Sequence, residues 1–399
     1  MRKLFSTLLL AALILSCQQQ SSDKARQAQA RELAQKFIII DTHVDVPYRL
    51  REKWEDISLR TPSGDFDYVR AKEGGLNAPF MSIYVPSDRE QNGAKALADT
   101  LIDMVEKFTT DWPDKFALAK SVADVRAQFT QGLISLPLGM ENGAPLEGSL
   151  ENLKHFYERG IRYITLTHGK DNHLCDSSYD TTRTWQGLSP FGKEVVAEMN
   201  RLGIMIDVSH ISDNAFNQVM EHTKAPVIAS HSSCRFFTPG WERNMDDAMI
   251  KRLAQNGGVL QINFGSSFIS DAYRKTEEKL WRYFQEHKLN PNSEEGKTFV
   301  QKFKAENKLD YADISEVVAH IDHVVKLVGV DHVGFGSDFD GVGDSLPKGL
   351  KSVADFPNLI AALLQKGYSE SDIEKICGGN TLRVWSQVEE VAQQMQTNN

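Results

Sequence analysis

Beyond residue 30 the chain alternates between short apolar runs and longer amphipathic ones. The short runs fall at about 37–41, 80–85, 133–140, 161–166, 203–208, 226–230, 257–263 and 331–336. They are rich in Val and Ile and bounded by Gly, Pro or Asp, the pattern of strands covered on both faces. Gly203-Ile204-Met205-Ile206-Asp207-Val208 and Ala225-Pro226-Val227-Ile228-Ala229-Ser230 are the clearest. The longer runs have helical spacing. Between residues 94 and 107, Leu97, Leu101, Ile102 and Val105 share one face. Ser189 caps a further helix with Pro190 in its first turn. Residues 149–159, 212–223, 246–255, 313–328, 352–366, 369–376 and 380–394 also predict helices.

Eight strands alternating with helices predict a parallel sheet with right-handed crossovers, and eight is the number that closes a (β/α)8 TIM-type barrel. The rival is an open doubly wound sheet. The barrel is preferred because polar residues gather at the C-terminal ends of many strands, not at one switch point. No internal repeat or linker interrupts residues 31–399, so they form a single catalytic domain. The longest irregular stretch, 264–311, is either a helical insertion over the barrel mouth or a solvated excursion.

The strand ends carry the candidate chemistry. The first run ends in Asp41-Thr42-His43-Val44-Asp45. On extended backbone, residues i and i+2 point the same way, so His43 and Asp45 aim at one point past the strand. The third strand ends in Glu141-Asn142-Gly143 and the fourth in Thr167-His168-Gly169. The fifth ends in Asp207-Val208-Ser209-His210, the sixth in Ser230-His231-Ser232-Ser233, and the eighth in Gly336-Ser337-Asp338-Phe339-Asp340-Gly341. Taken singly, each residue has an ordinary structural explanation. Four of the 11 histidines at like ends of four strands do not. The other seven fall mostly in helices or loops, with His173 near the predicted mouth. His43, Asp45, Glu141, His210 and His231 make five candidate ligands before Asp338 is added. One catalytic zinc takes about three protein ligands and keeps an open position. Five or six suit two ions sharing a carboxylate, which two-metal hydrolytic sites hold roughly 3.5–4 Å apart.

Other chemistries fare worse. There is no GxSxG elbow, and Ser232 or Ser233 beside His231 makes a poor nucleophile–base pair. Asn256-Gly257-Gly258 precedes a strand, not a helix, so it is weak as a phosphate loop. Tyr179, Trp185, Phe236, Phe237 and Trp241 lie on predicted mouth loops, where they either line a pocket or pack the loops.

Together, His43-Val44-Asp45, Gly139-Met140-Glu141-Asn142-Gly143, Leu166-Thr167-His168, Asp207-Val208-Ser209-His210, Ser230-His231-Ser232-Ser233, Arg243-Asn244 and Gly334-Phe335-Gly336-Ser337-Asp338-Phe339-Asp340-Gly341 resemble, in order, the motifs of the membrane (renal) dipeptidase family. These are binuclear zinc peptidases of the amidohydrolase-like barrel superfamily, and the resemblance runs from about residue 36 to 386. It implies two Zn2+ per chain, bridged by Glu141 and a water or hydroxide. His43 and Asp45 would bind one ion, His210 and His231 the other. His168 would contact substrate and stabilise the tetrahedral oxyanion, Arg243 would hold the free carboxylate, and Asp338 would shuttle the proton. Family members often form dimers, so a homodimer is allowed. The family's usual Gly-Gly-Asp is here Gly336-Ser337-Asp338, and residues 264–311 depart further, which bears on the pocket rather than the metals. The residue chemistry agrees. Metal binding lowers the pKa of water to about 7, a carboxylate can pass the proton on, and a planar guanidinium suits a carboxylate. The structural alternative for Arg243 is a surface salt bridge with Glu242 or Asp246.

Composition narrows the setting. Hydrophobic residues make up 41% and charged residues 25% of 399, ordinary for a globular domain with a sizeable core. A net charge of −9, with no basic block beyond the extreme N-terminus, argues against nucleic acid as a partner. Arg2 and Lys3 precede an apolar run, Leu4 to Leu15, that is too short for a comfortable membrane span. Ile14-Leu15-Ser16-Cys17 resembles a bacterial lipobox. Residues 1–16 are then a lipoprotein signal peptide, Cys17 carries lipid, and residues 17–30 are a flexible tether. Gln18 favours the outer membrane, facing the periplasm, over inner-membrane retention; a plain secretory signal is the alternative. The remaining Cys175, Cys234 and Cys377 cannot all pair, which leaves one bond, Cys175 to Cys234, open.

The expected function is zinc-dependent hydrolysis of dipeptides with a free C-terminal carboxylate, D-residues included by resemblance. The alternatives are another binuclear amidohydrolase, acting on N-acyl amino acids or lactones, and a non-catalytic peptide-binding lipoprotein.

Overall fold

The computed structural model describes residues 22–290, 293–307 and 309–397. The described residues form ten strands: β1 (Ile39–Val44), β2 (Leu76–Tyr84), β3 (Phe116–Leu118), β4 (Ile134–Leu136), β5 (Leu138–Glu141), β6 (Ile161–Thr165), β7 (Met205–Asp207), β8 (Ile228–Ser232), β9 (Val259–Ile262) and β10 (Val333–Phe335). Eight of them close a parallel barrel in the order β1-β10-β9-β8-β7-β6-β5-β2. The fold is therefore the expected (β/α)8 barrel, and every predicted strand contributes to it.

One predicted run is split. Pro137 divides 133–140 into β4, which pairs with β3 in a side sheet, and β5, which enters the barrel. Proline has no N–H to give a ladder. Its carbonyl still accepts the Met81 N–H at 2.8 Å, so the break is bridged to β2. The predicted helices form, and Ser189 caps its helix by accepting the Gly192 N–H at 2.8 Å. The helix Val122–Thr130 was not anticipated: it buries only Val122 and Val125, too few to mark a period.

The expected tether differs from the structure. Residues 22–36 are helical, and Ala30, Leu33, Ala34 and Phe37 are buried. That i, i+3, i+4, i+7 stripe is hidden in a polar composition. The signal peptide and Cys17 lie outside the described residues. No helix among the described residues is long and apolar enough to cross a membrane. Cys175, Cys234 and Cys377 are free and buried, so the Cys175–Cys234 bond is not formed. The stretch 264–311 takes the helical alternative, with helices Ser266–Ile269, Asp271–His287 and Glu294–Asn307.

The barrel interior is divided along its axis. At the N-terminal strand ends, Ile40, Ala78, Phe80, Tyr163, Met205, Ile228 and Val259 form an apolar cluster with Trp385 and Val388 of the helix Asn380–Thr397. Phe80 lies 5.4 Å from both the Tyr163 and Trp385 rings. This plug leaves the opposite end for polar groups.

His320 ties the helix Ile314–Val328 to two loops at the polar end. Its Nδ1 accepts the Cys234 N–H at 3.0 Å, and Nε2 faces the Ile269 carbonyl at 3.1 Å. Burial lowers its pKa from 6.5 to about 3, with His323 contributing in the same direction. The imidazole is thus neutral when folded, while the unfolded chain takes up a proton below about 6.5. Its contribution to stability is full above that pH and is lost as pH falls towards 3, by about 1.4 kcal/mol per pH unit. Urea unfolding of the metal-free protein should show midpoints that drop below pH 6.5. His320→Gln should flatten that decline by one proton's worth; an unaltered slope would contradict the assignment.

Candidate metal centre

The C-terminal strand ends bring the predicted site residues to one point around Glu141, the last residue of β5. Its Oε2 lies 3.4 Å from His43 Nε2. Its Oε1 lies 3.2 Å from His210 Nε2, 3.3 Å from His231 Nε2 and 3.6 Å from His168 Nε2. Each oxygen therefore faces a different set of nitrogens. Asp45, as the i, i+2 argument requires, returns to His43: Oδ2 is 3.4 Å from Nε2. Three overlapping groups of donor atoms result: His43–Glu141–His231, Glu141–His168–His210 and His43–Asp45–Asp338.

The surrounding contacts orient these donors. Asp207 accepts the Ser230 hydroxyl at 2.6 Å, and that hydroxyl is 2.7 Å from His231 Nδ1. The Ser230 proton is committed to Asp207, so His231 Nδ1 is the donor and Nε2 keeps its lone pair. The Tyr163 hydroxyl lies 2.8 Å from His43 Nδ1 and backs that ring from behind. Gly139 makes room for this, since a Cβ there would fall 2.0 Å from the Tyr163 ring. Asn263 Nδ2 donates to Asp338 Oδ2 at 2.7 Å. Asn142, His210, Asp338 and Asp340 all have left-handed φ, between 65° and 80°. Such strain in non-glycine residues gathers where a site demands a direction the relaxed backbone does not give.

The electrostatics are those of a cation site. Burial lowers His210 and His231 well below the usual imidazole range, with Arg243 and the other histidines adding. Both are neutral. Burial also lowers His168. Burial opposes the charge on Glu141, but His43, His168, His210 and His231 outweigh it and hold the carboxyl well below its ordinary value. Burial likewise lowers His43, yet Tyr163, Glu141 and Asp45 reverse this and raise it. Burial pushes Asp338 up to about 7, opposed by His43 and reinforced by Asp45 and Glu141.

These residues fit metal. Arg243 can only donate, so its contact at 3.0 Å marks His210 Nε2 as a lone-pair acceptor. Two such nitrogens, His210 Nε2 and His231 Nε2, then face each other at 2.8 Å beside a carboxylate oxygen. A cation beside them relieves that arrangement. Zinc–ligand bonds of 2.0–2.2 Å at a tetrahedral angle separate ligand atoms by about 3.3 Å, close to the 3.2–3.4 Å found around Glu141. Among the described residues, His43 Nε2, Asp45 Oδ1 and His210 Nδ1 are buried without a hydrogen-bond partner.

Arg243 is buried, not in a surface bridge. Glu242 pairs instead with Arg183, and Asp246 caps the helix Asp247–Gln255. Arg243 donates to Ser232 Oγ and the His231 carbonyl, both at 2.7 Å, and stacks on Phe268 at 5.0 Å. Tyr179 faces it from the cavity side. A cavity of about 1020 Å3 opens above the centre, lined by Asp45, Glu141, His168, His210 and Asp338 among others. Of the mouth aromatics, Tyr179 lines it. Trp185 is bonded to the Asn172 carbonyl, Phe236 and Phe237 stack on His323 and His320, and Trp241 packs on Phe268. His173 bonds Glu90 and stays out of the cluster. Asn263 was missed although it ends a predicted strand, the same signal that marked the histidines. Tyr163 was missed because, inside a strand, it is indistinguishable from core.

Residues 27–399 match the family described as membrane dipeptidase (peptidase family M19). An uncharacterized dipeptidase of Schizosaccharomyces pombe is 34% identical over 390 residues, 92% of this chain and 85% of the relative. Among solved structures, the probable dipeptidase PvdM of Pseudomonas aeruginosa superposes with a TM-score of 0.80 at 27% identity, covering 92% of this chain and all of that one. A metallo peptidase of Rhodobacter sphaeroides, liganded with a phosphinate mimic of the dipeptide L-Ala-D-Ala, gives 0.74 at 25% identity, covering 88% and 99%.

Gly341 offers a direct test of the site's geometry. A Cβ there would lie 2.2 Å from both Asp338 Oδ1 and Asp45 Oδ2. Added zinc should raise the melting temperature of the metal-free protein by several degrees, on the order of the 2–4 °C per kcal/mol typical of large domains. Gly341→Ala should lose most of that rise. A variant stabilised by zinc as fully as the parent would show that the two carboxylates are not confined as described.

Proposed function

The chain belongs to the membrane dipeptidase family, and we propose that it cleaves dipeptides with a free C-terminal carboxylate, C-terminal D-residues included, using two Zn2+. It is a metallo-dipeptidase, a hydrolase of peptide bonds. In the proposed arrangement His43 and Asp45 hold one ion, His210 and His231 the other, and Glu141 both. The observation that carries this reading is the division of the Glu141 carboxylate, one oxygen towards His43 and the other towards His210 and His231.

When bound, the ions would lower the pKa of water towards neutrality and polarise the scissile carbonyl. The chain's residues do the rest. Asp338, fixed through Oδ2 by Asn263, keeps Oδ1 to take a proton from the attacking water and return it to the leaving amine. His168, neutral and lining the cavity, can donate its N–H to the developing oxyanion. Arg243, beside the centre, has a buried Nε–H without an acceptor among the described residues, which suits the substrate carboxylate. Acceptance of a D-residue is supported by likeness to the R. sphaeroides peptidase and its L-Ala-D-Ala mimic.

The test is a panel of L-Ala-L-Ala, L-Ala-D-Ala and their C-terminal amides with the zinc-loaded enzyme. Both free dipeptides should be cleaved, and amidation should abolish cleavage. An N-acyl amino acid or lactone hydrolase would show no such distinction. Asp338→Asn should lower kcat by about 10²–10⁴ while zinc content holds. Equal turnover of acid and amide, or an Asp338→Asn variant as active as the parent, would overturn the reading.

A further inference from the structure

The helical insertion gives the substrate cavity a wall that the metal chemistry does not use. From the helix Asp271–His287, Glu277 and Trp281 both line the cavity, one turn apart on one face. Trp281 is half exposed there, an indole surface presented to whatever fills the space.

Glu277 differs from the other carboxylates around the cavity. Asp45, Glu141 and Asp338 belong to the metal centre. Asp340 is paired with Arg49 at 3.0 Å and Glu52 with Arg51 at 2.9 Å. The two cationic residues in the lining are also engaged: Arg49 with Asp340 and Glu55, Lys53 with Glu55 at 3.3 Å. Glu277 is half-buried beside the Ser267 side chain, which lines the same cavity. The cation that acts on it, Lys304, is itself held by Asp344 at 3.2 Å and by the Tyr311 hydroxyl at 3.0 Å. The wall therefore presents a carboxylate short of positive charge beside an aromatic face, the pair that attracts a desolvated cation.

We propose that Glu277 and Trp281 make this enzyme select dipeptides carrying a cationic side chain, with the ammonium or guanidinium held between carboxylate and indole. The inference rests on the dipeptidase reading above and adds the substrate class. It also gives the insertion a role: it sets specificity, while the strand ends do chemistry.

The experiment measures kcat/KM of the zinc-loaded enzyme for Lys-Ala, Leu-Ala and Glu-Ala and for Ala-Lys, Ala-Leu and Ala-Glu. In at least one order, Lys should exceed Leu by about tenfold to a hundredfold, the range for a charge-assisted contact. Glu277→Gln, which keeps the shape, should collapse that ratio towards one. Glu277→Lys should shift preference towards Glu, a gain that a merely unfolded variant cannot show. Trp281→Ala should reduce the Lys preference severalfold. Hydrolysis of Leu-Ala and Ala-Leu with no Lys preference, or a preference that survives Glu277→Gln, would overturn this inference and leave the dipeptidase reading standing. Failure to cleave any dipeptide would overturn both.

Discussion

A carboxylate buried among four imidazoles is the constraint around which this molecule is built. Glu141 lies within 3.2–3.6 Å of His43, His168, His210 and His231, with Asp45 and Asp338 close by. Burial strips most of these groups of water, and at least two of the imidazoles are held neutral. Three clustered carboxylates facing neutral nitrogens are a costly arrangement unless cations are part of the native state. The neighbouring residues are arranged for that end. Ser230 and Asp207 fix the His231 lone pair, and Tyr163 backs His43.

The barrel makes such a cluster tolerable by separating its two ends. The N-terminal end is closed by an apolar plug of Phe80, Tyr163 and Trp385, which supplies packing without asking anything of the rim. The rim can then carry strained and unsatisfied groups. Left-handed His210, Asp338 and Asp340 sit there, fixed by the contacts that surround them. The insertion is added outside this division. It touches the cavity through Ser267, Phe268, Glu277 and Trp281 but supplies no donor to the cluster around Glu141.

Most of the barrel and the metal cluster were legible in the chain because two simple periods carry them. Strand runs of β-branched residues gave all eight barrel strands, and polar residues at their C-terminal ends gave His43, Asp45, Glu141, His168, His210, His231 and Asp338. What escaped was set by three-dimensional neighbours. Tyr163 looks like a core residue until Gly139 is seen to admit it to His43. The depth of Arg243 depends on Ser232, Phe268 and Tyr179, which come from three different segments. The helix at residues 22–36 was concealed by a polar composition around only three buried positions, Ala30, Leu33 and Ala34. Pro137 was visible, but not that the chain on its two sides joins different sheets.

If Glu141 joins two ions, its two oxygens must both be needed. The most direct measurement is the zinc content per chain of the parent and of Glu141→Gln, whose amide retains the shape but offers only one coordinating oxygen. The account predicts two zinc ions in the parent and at most one in the variant. A parent that binds a single ion, or a variant that keeps two, would contradict it.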